Sequence, residues 1–297
     1  MTGTKPARQK RSFRTVPLLA PSIFVLFLWM VVPLAMTLWF SAENYNLLSP
    51  GKNSFAGLGN YRDLLTSRAL WIAMGNTLFL VGAVLVITLV FGTLLSVLLD
   101  SEFPGRGICR LLVVAPFFVM PTVSALIWKN MFMNPVFGVF AWITRSLGIG
   151  TIDFFSSMPL LAIVVIVAWE WTPFAVLILL PALQSLNREQ KEAARLDGAG
   201  PIALFYHIEL PHLRRPMAVV AMIEVIFFLS LFAEIYVTTG GGPGLASTNL
   251  AFLIFRDALL GWDVGRASAG GVFAIILANI VALFLMRVVG RGLEDMR

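Results

Sequence analysis

Uninterrupted runs of about 20 apolar residues most constrain this chain, because that length is what an α-helix needs to cross about 30 Å of hydrocarbon. Six such runs occur, at Pro17–Phe40, Trp71–Leu99, Leu111–Phe132, Pro159–Leu180, Met217–Val237 and Ala267–Val289. They predict an all-α integral membrane protein with six transmembrane helices. A 58% hydrophobic and 13% charged composition, with a mean hydropathy of +0.86, places the chain in the same class.

The basic residues set the orientation. Lys5, Arg8, Lys10, Arg11 and Arg14 precede the first run, and Arg106 and Arg110 lie between the second and third. Arg188, Lys191, Arg195, Arg214 and Arg215 lie between the fourth and fifth, and Arg287, Arg291 and Arg297 follow the sixth or close it. The intervening loops hold only Lys52, Arg62, Arg68, Arg145, Arg256 and Arg266. Positive charge stays on the cytoplasmic side, so both termini are expected there. The net charge of +6 is spread over membrane flanks and argues against a nucleic-acid partner. Residues 1–16 read as a basic cytoplasmic N-terminus touching anionic lipid headgroups. Residues 17–70 read as a first span plus an external segment, and 71–297 as the functional core. The first run is too long for a secretory leader and lacks a small-residue cleavage site, so it is expected to be retained. Cys109, the single cysteine, excludes an internal disulfide.

One polar stretch stands out, Gln184–Pro216: QSLNREQKEAARLDGAGPIALFYHIELPHLRRP. Asn187 and Gln190 form a capping-box pattern, and Arg188 and Glu192 stand at i,i+4 on the helix that follows. Gly198 suits the left-handed position that ends a helix. Pro201 suits the start of a second short helix, and Leu210-Pro211 and Pro216 are expected to stop it. A loop of this length with its own rigid pattern points to function, and a ten-residue helix is marginal unless it docks on something.

Glu192-Ala193-Ala194, Asp197-Gly198-Ala199, Ile208 and Leu210-Pro211, at this spacing, resemble the EAA loop of permease subunits from binding-protein-dependent ABC importers. The resemblance runs from about Gly75 to the C-terminus. The stretches Ala115–Pro135 and Thr238–Asn249 are similar to the carbohydrate-uptake branch, most of all to sorbitol/mannitol permeases. The resemblance implies a type I ABC importer permease fold in a bacterial inner membrane. It also implies a second permease subunit, a dimer of ATP-binding cassette ATPases carrying ATP and Mg, and a periplasmic or extracellular solute-binding protein. A polyol or another sugar would be the substrate, with no cofactor in this chain. The Arg188–Asp197 helix would dock in an ATPase cleft, with Glu192 meeting a basic residue there.

Within the spans three carboxylates stand out, Glu170, Glu224 and Glu234. An ionised side chain at the bilayer centre costs about 2.5–3.5 kcal/mol and usually faces a cavity or a partner. Glu234 lies near an external end and is expected to be hydrated. Glu170 and Glu224 could bind substrate hydroxyls, pair with a partner subunit or relay protons. The resemblance places substrate contacts on the fourth and fifth spans, matching Glu170, Trp171 and Phe174 and then Glu224 and Phe228. In each span a carboxylate stands at i,i+4 from a phenylalanine and shares its helix face. Pro116 and Pro121 should kink the third span, for gating or for packing. Gly240–Gly244 reads as a flexible hinge or turn. The stripe Gly270, Ala274, Ala278, Ala282 suits close helix packing.

Other chemistry is missing. There is no GxxxxGK[ST] loop, so no nucleotide-binding site of that type in this chain. His207 and His212 read as loop histidines without metal-ligand neighbours. No nucleophile or paired catalytic constellation occurs. The rival to a permease subunit is a stand-alone proton-coupled carrier using the buried glutamates, which predicts inverted repeats that the sequence does not display.

Overall fold

The structure, a computed structural model, describes residues 16–49, 51 and 54–294. The basic N-terminal residues and Arg297, used above for orientation, lie outside them. The chain runs α1 (Val16–Ser41), a small antiparallel hairpin β1 (Glu43–Asn44) and β2 (Ser54–Phe55), α2 (Gly59–Thr66) and α3 (Arg68–Asp100). It continues through α4 (Arg106–Val114), α5 (Pro121–Ile127), α6 (Val139–Ser146), α7 (Phe154–Ser157) and α8 (Pro159–Gln184). Then come α9 (Arg188–Leu196), α10 (Pro201–Leu204), α11 (Leu210–Leu229), α12 (Ala233–Thr238), α13 (Leu250–Phe255) and α14 (Val264–Glu294). Short π-helical turns extend α5, α10 and α13.

Among the described residues, four helices are long and apolar enough to cross a membrane: Leu19–Ser41, Arg68–Asp100, Pro159–Gln184 and Val264–Phe284. The other two expected spans are broken. The third run bends by 106° between the α4 and α5 halves. Met120 is extended there, as a residue before proline prefers, and Pro121 restarts the helix where no N–H is required. The expected kink is therefore a full break. The fifth run is interrupted at residues 230–232, between α11 and α12.

The expected stop at Pro211 and Pro216 does not occur. After α10 a π turn spans Phe205–Glu209, and α11 continues directly through both prolines to Leu229. Pro211 stands in the first turn of α11, directly after the π turn. Pro216 stands inside α11, as membrane helices tolerate. His207 and His212 are consequently helical. Their ring nitrogens meet the carbonyls of Ala203 and Ala182, each at 2.9 Å.

The core forms where α3, α8 and α11 meet, with Leu80, Val84, Ile163, Val167, Val225 and Phe228 packed together. The α3–α8 contact is the most extensive. A Cβ on Gly92 would stand 2.5 Å from that of Ala175, so only glycine permits this approach. α14 packs along α1 and α13, with Gly270 against Ile254, in keeping with the small-residue stripe. The segment after α1 is held by Asn60, whose amide donates to the carbonyls of Ser41 and Glu43 at 3.0 and 2.9 Å.

The stretch after α12 forms turns, the second of the two expectations for it, with Gly240, Gly241 and Gly244 at positive φ. Ser247, Thr248 and Asn249 are buried. Thr248 Oγ1 donates to Gly241 O at 2.9 Å, and Asn76 of α3 donates to the carbonyls of Leu245 and Thr248 at 3.0 and 2.9 Å. Thr77 Oγ1 accepts from the backbone of Leu250 at 2.9 Å. Long-range bonds from α3 thus order a loop whose glycines alone suggested freedom.

Candidate functional site

Two regions carry the residues singled out by sequence. The first is the polar segment between α8 and α11. Asn187 caps α9 by accepting from the Glu189 N–H at 2.9 Å. The expected capping box with Gln190 does not form, because the cap bonds one residue earlier. Gly198 has φ +88°, in the left-handed region. Its N–H reaches Arg195 O at 3.1 Å, and the Ala199 N–H reaches Ala194 O at 2.9 Å. This pair of bonds is a Schellman ending that satisfies the last carbonyls of α9.

On α9, Glu192 and Ala193 are exposed and Ala194 is half-buried; Asp197 and Gly198 beyond its end are exposed. Ile208, Leu210 and Pro211 are half-buried on the following helix. Ala193, Ala194, Asp197 and Ile208 line one shallow groove, so these four motif residues come together in space, whereas Glu192, Gly198, Leu210 and Pro211 lie outside that lining. Leu196, Ile202 and Tyr206 also project from this segment, at 89%, 75% and 60% exposure. Ile202 and Tyr206 line one shallow apolar surface, and exposed apolar side chains on a polar loop suit contact with a partner.

The back of the segment is anchored. Lys191 Nζ stands 2.9 Å from Asp100 Oδ2, at the end of α3, and 2.9 Å from Glu209 Oε1 in the π turn. Arg188 does not pair with Glu192. It faces Glu102 at 3.8 Å, both side chains more than 80% exposed, a contact worth little.

The second region lies in the centre of the helical core. Trp171, Phe174 and Phe228 do assemble. Trp171 packs edge-on against Phe174 and Phe228 at 5.7 and 5.4 Å between centroids. Phe117, beside the break before α5, and Phe227 complete the cluster. The two carboxylates do not share that company. Glu170 lies beside Ser124 of α5 and in the field of Glu234. Glu224 accepts from Thr88 Oγ1 of α3 at 2.6 Å. Both Glu224 and Phe228 are sealed within the helix packing. Glu234 is only 4% exposed, so the expected hydration of this residue does not hold. α12 turns back into the bundle and packs on α5 and α8, which residue spacing alone does not reveal.

Unpaired buried polar atoms concentrate here. Ser124 Oγ, Trp128 Nε1, Glu170 Oε2 and Glu224 Oε1 have no partner among the described residues. Buried polar groups are nearly always bonded, so such atoms mark places where another molecule bonds or the helices rearrange. Sequence reading missed Ser124 and Trp128. Their i,i+4 spacing just after Pro121 was the available signal.

A multi-helix membrane protein with broken helices around a polar and aromatic centre, and a capped helix presented outside the bundle, has the make-up of a membrane permease. The chain belongs to the family described as "Binding-protein-dependent transport system inner membrane component", whose model matches residues 104–295. It is 32% identical over 291 residues to the probable ABC transporter permease protein y4oQ of Sinorhizobium fredii, covering 96% of this chain and 94% of that protein. It is 31% identical over 280 residues to the trehalose/maltose transport system permease protein MalF of Thermococcus litoralis, covering 94% of each. Among solved structures it matches a bacterial alginate ABC transporter in complex with an alginate pentasaccharide-bound periplasmic protein. The TM-score is 0.77 at 22% identity, over 96% of this chain and 98% of that one. The fold is that of a type I ABC importer permease.

Proposed function

We propose that this chain is one of two permease subunits of an ATP-driven importer for a carbohydrate of the polyol or sugar class. The observation that carries the reading is the α9–Gly198–α10 unit. It presents Glu192, Ala193, Leu196, Ile202 and Tyr206 outward, while Lys191 anchors it behind. In this reading a cytoplasmic ATPase dimer, holding ATP and Mg, covers that face. The solute-binding protein delivers substrate to the opposite side. The similarity to a trehalose/maltose permease supports a sugar, and the stretches Ala115–Pro135 and Thr238–Asn249 support a polyol. Glu170 serves hydroxyl groups as an acceptor, and Trp171 and Phe174 offer flat faces to C–H groups. Glu224 and Phe228 reach substrate only when α3, α8 and α11 part.

The test is reconstitution. Proteoliposomes containing this chain, its second permease and the ATPase are expected to take up sorbitol, mannitol or a disaccharide. Uptake should require ATP on the loop side and the binding protein on the other. Uptake by this chain alone, driven by a proton gradient, would overturn the reading.

Orientation is checked separately. A cysteine at Ser49, which is exposed, is expected to react with an impermeant reagent added to sealed cells, and one at Ser185 is not. Ser247 also lies on the outer side in this reading, but its burial makes it unsuitable as a reporter. Labelling of Ser185 in sealed cells would reverse the assignment of the ATPase-facing side.

A further inference from the structure

We infer that Lys191 is a positioning residue that locks α9 to the end of α3, so that α3 carries movement of α9 to the loop at its other end. The inference rests on the reading that an ATPase docks on α9, and names the link behind that contact.

Three observations carry it. First, the lysine points away from the docking face. Its side chain is 13% exposed, whereas its neighbours Glu192 and Ala193 are exposed. It holds Asp100 and Glu209 at once, each at 2.9 Å, joining three elements distant in sequence. Burial pulls the Lys191 ammonium down, but Asp100 and Glu209 outweigh it and hold it above the ordinary lysine value, so it stays charged. The only other ion pair of α9 among the described residues, Arg188 with Glu102, is long and exposed.

Second, α3 is suited to transmit. Its 33 residues form one helix, unbroken by proline and about 50 Å long at 1.5 Å per residue. Its C-terminal carbonyls are held by a neighbouring helix, as Arg110 donates to Leu99 O at 2.9 Å. Midway, Thr88 bonds Glu224 of α11 and Gly92 sits against Ala175 of α8, so the rod is braced along its length.

Third, the far end of α3 holds something to move. Asn76 and Thr77 make the bonds that order residues 245–250. Tension on Asp100 at one end is therefore coupled to that loop by a contiguous chain of packed and bonded groups.

The test uses the full complex of this chain, its second permease, the ATPase and the binding protein in proteoliposomes. In Lys191→Met the ATPase is expected to co-purify and basal ATP hydrolysis to continue. Substrate moved per ATP should fall about tenfold, within the usual range of coupling between sites. A cysteine at Ala246, an exposed loop position, gives the second readout. Its labelling rate should change on ATP addition in the parent and not in Lys191→Met. Lys191→Arg, which keeps the charge and the reach to both carboxylates, should restore both. Asp100→Asn breaks the same link from the α3 side and should uncouple in the same way. Unchanged transport per ATP with nucleotide-dependent labelling in Lys191→Met overturns the inference, as does loss of ATPase co-purification, which would place Lys191 in the docking contact itself. Absence of ATP-dependent uptake in the parent complex would instead overturn the importer reading, and the inference with it.

Discussion

Gly198→Val is expected to abolish ATP-driven uptake while the chain still inserts into the membrane. Gly198 has φ +88°, which a β-branched residue resists. A left-handed conformation costs an ordinary residue about 1–2 kcal/mol, and more for valine. No atom lies within 4 Å of where a Cβ would stand, so the penalty is conformational and not a clash. Valine would relax the turn, breaking the Gly198-to-Arg195 and Ala199-to-Ala194 bonds and re-aiming α10 relative to α9. The exposed side chains of α9 and those beyond the turn would then lose their fixed relative placement. Gly198→Asn is the control, because asparagine tolerates the left-handed region and should retain most uptake. Glu192→Lys should mimic the valine variant by placing a like charge against a basic ATPase surface. Measured ATPase co-purification and uptake decide the matter. Normal values for both in Gly198→Val would remove the docking role from this segment.

Glu170→Ala is expected to lower uptake about ten- to hundredfold while assembly and basal ATP hydrolysis persist. The range corresponds to the roughly 1.5–3 kcal/mol of a hydrogen bond to a charged group. Glu170 is buried on α8 with one carboxylate oxygen unpartnered, beside Ser124, whose hydroxyl is also unpartnered, and in the proposed reading a hydroxylated ligand bonds to this pair. Glu224→Ala should also reduce uptake, since it removes the acceptor that ties α11 to Thr88 of α3. The proton-relay rival uses the same carboxylates and predicts a different dependence. Under it, uptake collapses on adding a protonophore to ATP-loaded vesicles. Under the importer reading it does not. Uptake that is indifferent to both alanine substitutions would take substrate contact away from Glu170.

Several features were legible because they are local. Long apolar runs became the long helices α1, α3, α8 and α14. The positive φ at Gly198 and the break before Pro121 follow from backbone sterics that a glycine or a proline carries with it. The rings of Trp171 and Phe174, which the resemblance had set in one site, do pack together.

Other features were settled by partners far away in the chain. Pro211 and Pro216 read as stops, yet α11 runs through them, with a π turn directly before Pro211, as membrane helices tolerate. Arg188 turned to Glu102 and not to Glu192, since the end of α3 brings an acidic surface to it. Glu234 is buried because α12 folds back onto α5 and α8.

By itself, then, the sequence determined the membrane class, the long helices, the helix-ending glycine and the presence of the Glu192–Pro211 motif. Each of these depends on solvent transfer or on dihedral limits within a few residues. Only the tertiary structure decided that Lys191 joins Asp100 to Glu209, that Glu170 and Glu224 keep separate company, and that α3 grips the loop at residues 245–250. Those pairings span up to 173 positions, as between Thr77 and Leu250. No local propensity encodes them, because they exist only once the helices have packed and excluded other partners.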